Sequence, residues 1–313
     1  MASPKHRSKA RVLVVGSCSI DMIVRVDKIP GIGETVIGGK FHSAGGGKGA
    51  NQAVTAARAG ASVKFVGRVG RDDFGKAIIT GLKADGIDVS DLGVDPKEPS
   101  GIAFIFVGGG GENSIAVASG SNLRLLPAHV AKASASFKAG NILLVQLESP
   151  LPTVAAAASL AQRRGMRVIL NPAPARSLPD ALLRNVDIIT PNEHEAESLT
   201  GTRVDGAAAA QKAATQLHKK GIGTVIITLG SRGAFVSNGG GGGLVPAFKA
   251  KAVDTTAAGD VFNGALAVAL AEGQSLLDAV QFGQAAASIS VTRIGAQPSA
   301  PTRAEIERLL KRR

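Results

Sequence analysis

The sequence predicts an α/β protein: a central, mostly parallel sheet flanked by helices, with a small antiparallel sheet standing off it as a lid. Three observations carry this expectation. Short runs rich in Val, Ile and Leu alternate with Ala-rich stretches of helical period, the pattern of a parallel sheet covered on both faces. The 313 residues suit one large domain with a small appended element. Two Gly-rich regions, around 23–43 and 100–118, interrupt the alternation with short strand-like segments separated by turns.

The main-sheet strands are expected at 12–15, 63–66, 142–145, 168–170, 188–189 and 225–228. Helices are expected at 49–59, 74–84, 153–164, 193–199, 207–219, 259–271, 276–291 and 303–310, where apolar residues recur with helical spacing over lengths that suit crossovers. Segments such as Thr35-Val36-Ile37 and 102–107 supply the lid strands, and a sheet beside a ligand crevice is a natural cover. The glycines at 239–243, after Ser237-Asn238, form a hairpin turn without chemistry of its own. Residues 1–10 read as a basic tail and 11–313 as one domain; no repeat of fixed period is visible.

Charge and composition narrow the function. The net charge of +12 is concentrated at the ends: Lys5, Arg7, Lys9 and Arg11 at one, and five basic against two acidic residues in 303–313 at the other. With no Trp, no Tyr and ten Phe, little aromatic surface exists for stacking bases, so nucleic acid is not an expected partner. Cys18 is the only cysteine, which rules out an intrachain disulfide and fits a reducing compartment. It reads as a small buried apolar side chain. No apolar run approaches the roughly 20 residues that span a bilayer, and no signal-peptide stretch follows the first ten residues. A cytoplasmic protein is expected, with an organelle after transit-peptide removal as the alternative.

The most informative stretch is Asp254-Thr255-Thr256-Ala257-Ala258-Gly259-Asp260, running into Val261-Phe262-Asn263-Gly264-Ala265. Small residues ahead of a helix leave its first backbone N–H groups unobstructed, and these with the helix dipole form a cradle for a phosphoryl group. Asp260 stands at the mouth of that cradle, where a carboxylate can take a proton from an attacking hydroxyl. A plain helix cap is the competing reading of Asp260. A second stretch, Ala44-Gly45-Gly46-Gly47-Lys48-Gly49-Ala50-Asn51, brings backbone close to a ligand and offers Lys48 and Asn51 as donors to hydroxyls. It is not a Walker A loop, because Gly49 follows Lys48 where Ser or Thr is required. A third, Gly16-Ser17-Cys18-Ser19-Ile20-Asp21, follows the first strand, where ligands of open α/β sheets bind. It lacks the glycine spacing of a dinucleotide site.

With GGKGANQAV, QLESP, NPAPAR, DIITPNE, ITLGSRG, DTTAAGDVFNGAL and VTRIGAQPS in this order, the chain closely resembles the ribokinase-like carbohydrate kinase superfamily over about 12–299. The resemblance implies ATP-dependent phosphorylation of the 5-hydroxyl of D-ribose, with Asp260 as base and Ala257, Ala258 and Gly259 as the anion hole. It implies sugar contacts at Ser19, Ile20, Asp21, Gly47, Lys48, Gly49, Ala50, Asn51 and Glu148. For ATP it points to Asn192, Glu195, Thr228, Leu229, Gly230, Ser231, Arg232, Gly233 and Gln284, besides Gly259 and Asp260. Asn192-Glu193-His194-Glu195 matches the superfamily's N-x-x-E segment, whose Glu influences the accompanying Mg2+; His194 itself reads as a surface residue. A potassium site is implied at Asp254, Thr256, Ser290, Arg293, Gly295 and Ser299, Arg293 acting through its main-chain oxygen, and a homodimer through the lid sheet. The sequence departs from the pattern at Ser19, where members usually carry Asn, and at Gln284, where a His is common.

Overall fold

The computed structural model describes residues 10–110 and 112–312; all but the last residue of the basic tail lies outside them. Its strands are β1 (Arg11–Val15), β2 (Ser19–Arg25), β3 (Lys40–Gly46), β4 (Ser62–Gly70), β5 (Asp88–Asp95), β6 (Gly101–Val107), β7 (Asn113–Ala118), β8 (Ile142–Val145), β9 (Arg167–Leu170), β10 (Ile188–Ile189), β11 (Thr224–Thr228), β12 (Ala234–Ser237) and β13 (Gly242–Val245). Its helices are α1 (Lys48–Arg58), α2 (Asp73–Ala84), α3 (Pro127–Lys132), α4 (Leu151–Arg163), α5 (Asp180–Leu183), α6 (Glu193–Thr200), α7 (Ala207–Lys219), α8 (Ala258–Ala271), α9 (Leu276–Ser290) and α10 (Arg303–Leu310).

Nine strands form the main sheet in the order β13-β12-β11-β10-β9-β8-β1-β4-β5. It is parallel from β5 through β11, and β12 and β13 close it as an antiparallel hairpin. Because side chains alternate across a strand, each strand feeds two cores. Val12, Val14, Phe65, Ile142 and Leu144 pack with Val54, Phe262, Leu266 and Val280 of α1, α8 and α9. Leu13, Val15, Val66, Leu143 and Val145 pack on the other face with Val154, Ala157, Leu182 and Ala213 of α4, α5 and α7. Burial on both faces is why these strands read as unbroken apolar runs.

The second sheet, β3-β2-β6-β7, is separate. Its outer pairings are antiparallel and its central pair, β2 with β6, is parallel. Thr35, Val36 and Ile37, expected in a lid strand, lie in a stretch without regular structure; Ile37 is exposed and has no packing partner to hold a strand there. Since only three residues separate β1 from β2, the small sheet is anchored at the carboxyl edge of the main one.

Candidate active site

Connections leaving the carboxyl ends of five of the parallel strands contribute to one cleft, as expected for an open α/β sheet. Gly16–Cys18 follow β1, Gln146–Glu148 follow β8, Asn171 follows β9, Thr190–Asn192 follow β10, and the turn from Thr228 follows β11.

At its centre is Asp260, 5% exposed, in the first turn of α8. Oδ2 accepts a hydrogen bond from Asn51 Nδ2 at 3.0 Å, and Oδ1 accepts one from Gln52 Nε2 at 3.0 Å. α8 can come this close to α1 because residue 264 is glycine: a Cβ there would lie 2.6 Å from the carbonyl oxygen of Gln52. Burial pushes the Asp260 pKa up, and Lys48 with the two amide donors pulls against it. The helix cap Ala257 has φ 59°, a left-handed conformation that costs an L-residue about 1 kcal/mol. Nothing lies within 4 Å of a Cβ built on Gly259, so the backbone face in front of Asp260 is open. A buried carboxylate beside a bare helix N-terminus is the arrangement that an attacking hydroxyl and a phosphoryl group require.

Four carboxylates, Asp260 among them, gather around one ammonium. Asp260, Glu148, Glu195 and Asp21 all act on Lys48, and their charge raises its pKa against the opposing effect of burial. Glu148 Oε2 accepts from Ser17 Oγ at 2.6 Å and from the Lys48 backbone N–H at 2.9 Å, which ties the start of α1 to the β8 connection. Asp21, on β2, has its pKa pushed up to about 6, chiefly by burial and further by Glu148 and Asp260; the Ser19 hydroxyl, 3.4 Å from Oδ1, and Lys48 oppose this. Gly47, with φ 84°, turns the chain into α1 against the backbone of Cys18, 2.7 Å from where a Cβ would sit. Gly49 passes as closely over Ser17. The side chains of Ile20 and Ala50, expected among sugar contacts, belong to the core, because β2 and α1 turn them away from the polar face. Leu229, expected beside the nucleotide, is likewise a core side chain.

A second group lies along the same edge. Asn192 caps α6 and forms a reciprocal box with Glu195: Asn192 Oδ1 accepts from the Glu195 N–H, and the Glu195 carboxylate accepts from the Asn192 N–H and side-chain amide. Glu195 is buried, and burial raises its pKa while Lys48 lowers it. Asn192 bridges to Thr228, which brings the turn of Gly230, Ser231, Arg232 and Gly233 alongside. The Arg232 guanidinium is engaged by Glu193 and the Asp205 carbonyl. Gln284 donates to the Val245 carbonyl, the same oxygen that Gly233 approaches, so α9 reaches this turn.

Of the six residues expected to hold potassium, Asp254, Thr256 and Gly295 are joined by hydrogen bonds. Asp254 accepts from the N–H groups of Thr256 (2.8 Å) and Gly295 (2.9 Å), which pins the loop before α8 to the loop after α9. Burial raises its pKa, but these bonds outweigh it and the net shift is downward. Ser290, the last residue of α9, and Ser299, four residues after Gly295, are buried, and the Arg293 cation is taken up by Glu305. Hard oxygens on small residues suit a monovalent ion held by carbonyls. Among the described residues there is no cluster of three or more His, Cys, Asp or Glu side chains able to hold a metal.

The family model of the pfkB carbohydrate kinases matches residues 9–303. The chain belongs to this family. A ribokinase of Haemophilus influenzae is 48% identical over 93% of this chain and 95% of its own length. Among solved structures, ribokinase from Thermotoga maritima superposes with a TM-score of 0.87 at 40% identity, over 96% of this chain and 99% of its own. Arabidopsis thaliana ribokinase, solved with ribose and ATP, gives 0.88 at 33% identity, over 97% and 99%.

Set in this pfkB-family frame, the structure adds residues that the sequence reading passed over. Ser17, Gln52, Gln146, Asn171, Thr190 and Asn263 line the floor beneath the cleft through side-chain hydrogen bonds. The signal for most was present, as polar residues inside otherwise apolar or Ala-rich buried stretches. No helix among the described residues is long and apolar enough to cross a membrane.

Proposed function

We propose that this pfkB-family kinase transfers the γ-phosphoryl group of ATP to the 5-hydroxyl of D-ribose. The observation that carries the reading is the buried Asp260 at the open helix N-terminus, opposite Asp21, Lys48, Asn51 and Glu148. Carboxylates accept from the sugar's hydroxyls while Lys48 and Asn51 donate to its oxygens. The likeness over nearly the whole chain to the ribokinases of H. influenzae and A. thaliana supports ribose as the sugar.

Asp260 is the general base. Oδ2 is the oxygen for the sugar hydroxyl, since its present donor, Asn51, sits at the less enclosed end and has an unpartnered Oδ1 of its own. The backbone of Ala257, Ala258 and Gly259 receives the charge that develops on the phosphoryl oxygens. ATP lies along Asn192 and Thr228–Gly233 with Gln284 at the base end. Glu195 would act on the Mg2+ that accompanies the nucleotide, supplying negative charge near it. Asp254, Thr256, Ser290, Arg293, Gly295 and Ser299 would hold a potassium ion, whose charge would order the loop ahead of the anion hole.

The small sheet covers the sugar. Its edge strand β7 is exposed along its length, with Ile115 and Val117 turned to solvent, and a second copy of the chain covers it in a homodimer. Sedimentation as a monomer at working concentration would remove that assignment. A cytoplasmic setting, where ATP and free pentose meet, goes with this activity. The test is ADP release across ribose, deoxyribose, hexoses and nucleosides. Ribose should give the highest kcat/KM, and turnover with nucleosides but not pentoses would overturn the reading.

A further inference from the structure

Gln52 is fully buried in α1, and its amide is held by three other segments. Nε2 donates both to Asp260 Oδ1 (3.0 Å) and to Asn171 Oδ1 (3.2 Å), and Oε1 accepts from Gln146 Nε2 (2.6 Å). The orientation of that amide is fixed by the Thr190 carbonyl through Asn171, and Asn263 ties Thr190 in turn to the residue before Asp260. The Gly259 carbonyl can only accept, so Asn263 must present Nδ2 to it (2.8 Å) and turn Oδ1 to the Thr190 hydroxyl (2.7 Å). The Thr190 carbonyl, also obligately an acceptor, takes Asn171 Nδ2 (3.2 Å). Asn171 Oδ1 is then left to accept from Gln52, whose NH2 group also meets the carboxylate. The circuit starts on the backbone of residue 259 and closes on the side chain of residue 260. A reversed Gln52 would set two acceptors against each other at the carboxylate, a loss of a charge-assisted bond inside the protein.

We propose that Gln52 is a positioning residue for Asp260: through this circuit it holds Oδ1 in place, leaving Oδ2 to exchange Asn51 for the attacking hydroxyl. The two amides differ in freedom. Asn51 has a buried, orphaned Oδ1 and is 7% exposed, whereas Gln52 has its donors and acceptor all engaged and no exposure. The base role of Asp260, on which this rests, belongs to the function proposed above.

The bond also acts on proton affinity. Charged groups face Asp260 from α1 (Lys48), the β8 connection (Glu148), β2 (Asp21) and α6 (Glu195). Burial and the carboxylates favour its protonated form, while Lys48 and the two amides favour the ionised one. A base must be ionised, so removing the Gln52 donor moves the acid limb of the rate profile to higher pH.

The full-length protein, Gln52→Met and Asn171→Ala are compared in two measurements. One is kcat and KM for ribose from pH 5 to 9 at saturating MgATP. The other is 13C NMR titration of the Asp260 carboxyl, assigned by its loss in Asp260→Asn. Gln52→Met should lower kcat by about tenfold to a hundredfold, the value of one hydrogen bond to a charged group, with KM within about threefold. Its acid limb and its carboxyl titration should both move upward; Asn171→Ala, which frees one side of the same amide, should shift both less. Wild-type titration and an unmoved acid limb in the folded variants would overturn the proposal, because a merely structural glutamine alters stability alone. If the unaltered protein fails to turn over ribose, the kinase reading falls, and the carboxyl titration still decides the role of Gln52.

Discussion

Two sets of enclosed carboxylates in this protein are treated in opposite ways. Asp95, the last residue of β5, accepts from the N–H groups of Lys97 and Glu98 on one oxygen and from the Arg68 guanidinium on the other, at 2.8–3.2 Å. Those donors hold its pKa well below the ordinary carboxylate range. In the cleft, Asp21, Glu148, Glu195 and Asp260 share Lys48, and burial pushes the pKa values of Asp21, Glu195 and Asp260 upward. The first set is locally satisfied and ties strands together. The second is left under-compensated, as groups must be if a ligand's hydroxyls and cations are to complete them.

The contrast can be broken from either side. The largest effect falls on the cleft: Asp260→Asn should lower kcat for ribose by about a thousandfold, with ribose affinity by calorimetry little changed. On the structural side, Arg68→Leu leaves Asp95 without its cation. It should destabilise the fold by about 3 kcal/mol, lowering Tm by roughly 5 °C, while kcat/KM stays within about twofold.

Asp21→Asn sharpens the comparison by separating stability from binding. A carboxylate whose pKa rises from 3.8 to about 6 on folding favours the folded state only at low pH. Relative to that state its charge is a penalty that is absent below pH 4 and complete above about pH 6. The variant should therefore be more stable by about 2 kcal/mol at pH 7.5, with the difference in Tm vanishing toward pH 4, while ribose binds more weakly. In the unaltered protein ribose affinity should fall as pH drops through 6. The smallest effect concerns the cation loop: replacing potassium by sodium should lower kcat a few-fold, on the order of 1 kcal/mol, and Asp254→Ala should abolish the difference.

The parts of the fold legible in the sequence are those whose burial leaves a local trace. β8 and β11, apolar on both faces, are visible as runs; β5 is not, because it is an edge strand, with Asp88 and Asp91 paired to Lys64. β12 and β13 were hidden around their glycine turn, whose last residues join β13. The parallel pairing of β2 with β6 joins segments some 80 residues apart and leaves no local signal. In the site, Asp260, Lys48 and Asn51 were legible as chemistry-bearing types in Gly-rich surroundings. Gln52 was not, since a glutamine in an Ala-rich helix reads as a solvated face. Only the packing of α8 against α1 at Gly264 brings its amide to Asp260. Glu195 was expected one turn after Asn192, but the reciprocal cap that fixes its rotamer depends on backbone geometry.

The division of the cleft between two ends of the chain has an evolutionary corollary. Asp21, Lys48 and Asn51 come from the first sixth of the polypeptide, on or beside a sheet joined to the main body by three residues after β1, whereas the helix carrying Asp260 comes from the last. On the assignment proposed above, a substitution at Asp21, which makes no hydrogen bond to Asp260, can retune which polyol is admitted, whereas Lys48 and Asn51 also act on Asp260 and are less free to change. Diversification of substrate in such a scaffold should accumulate there first.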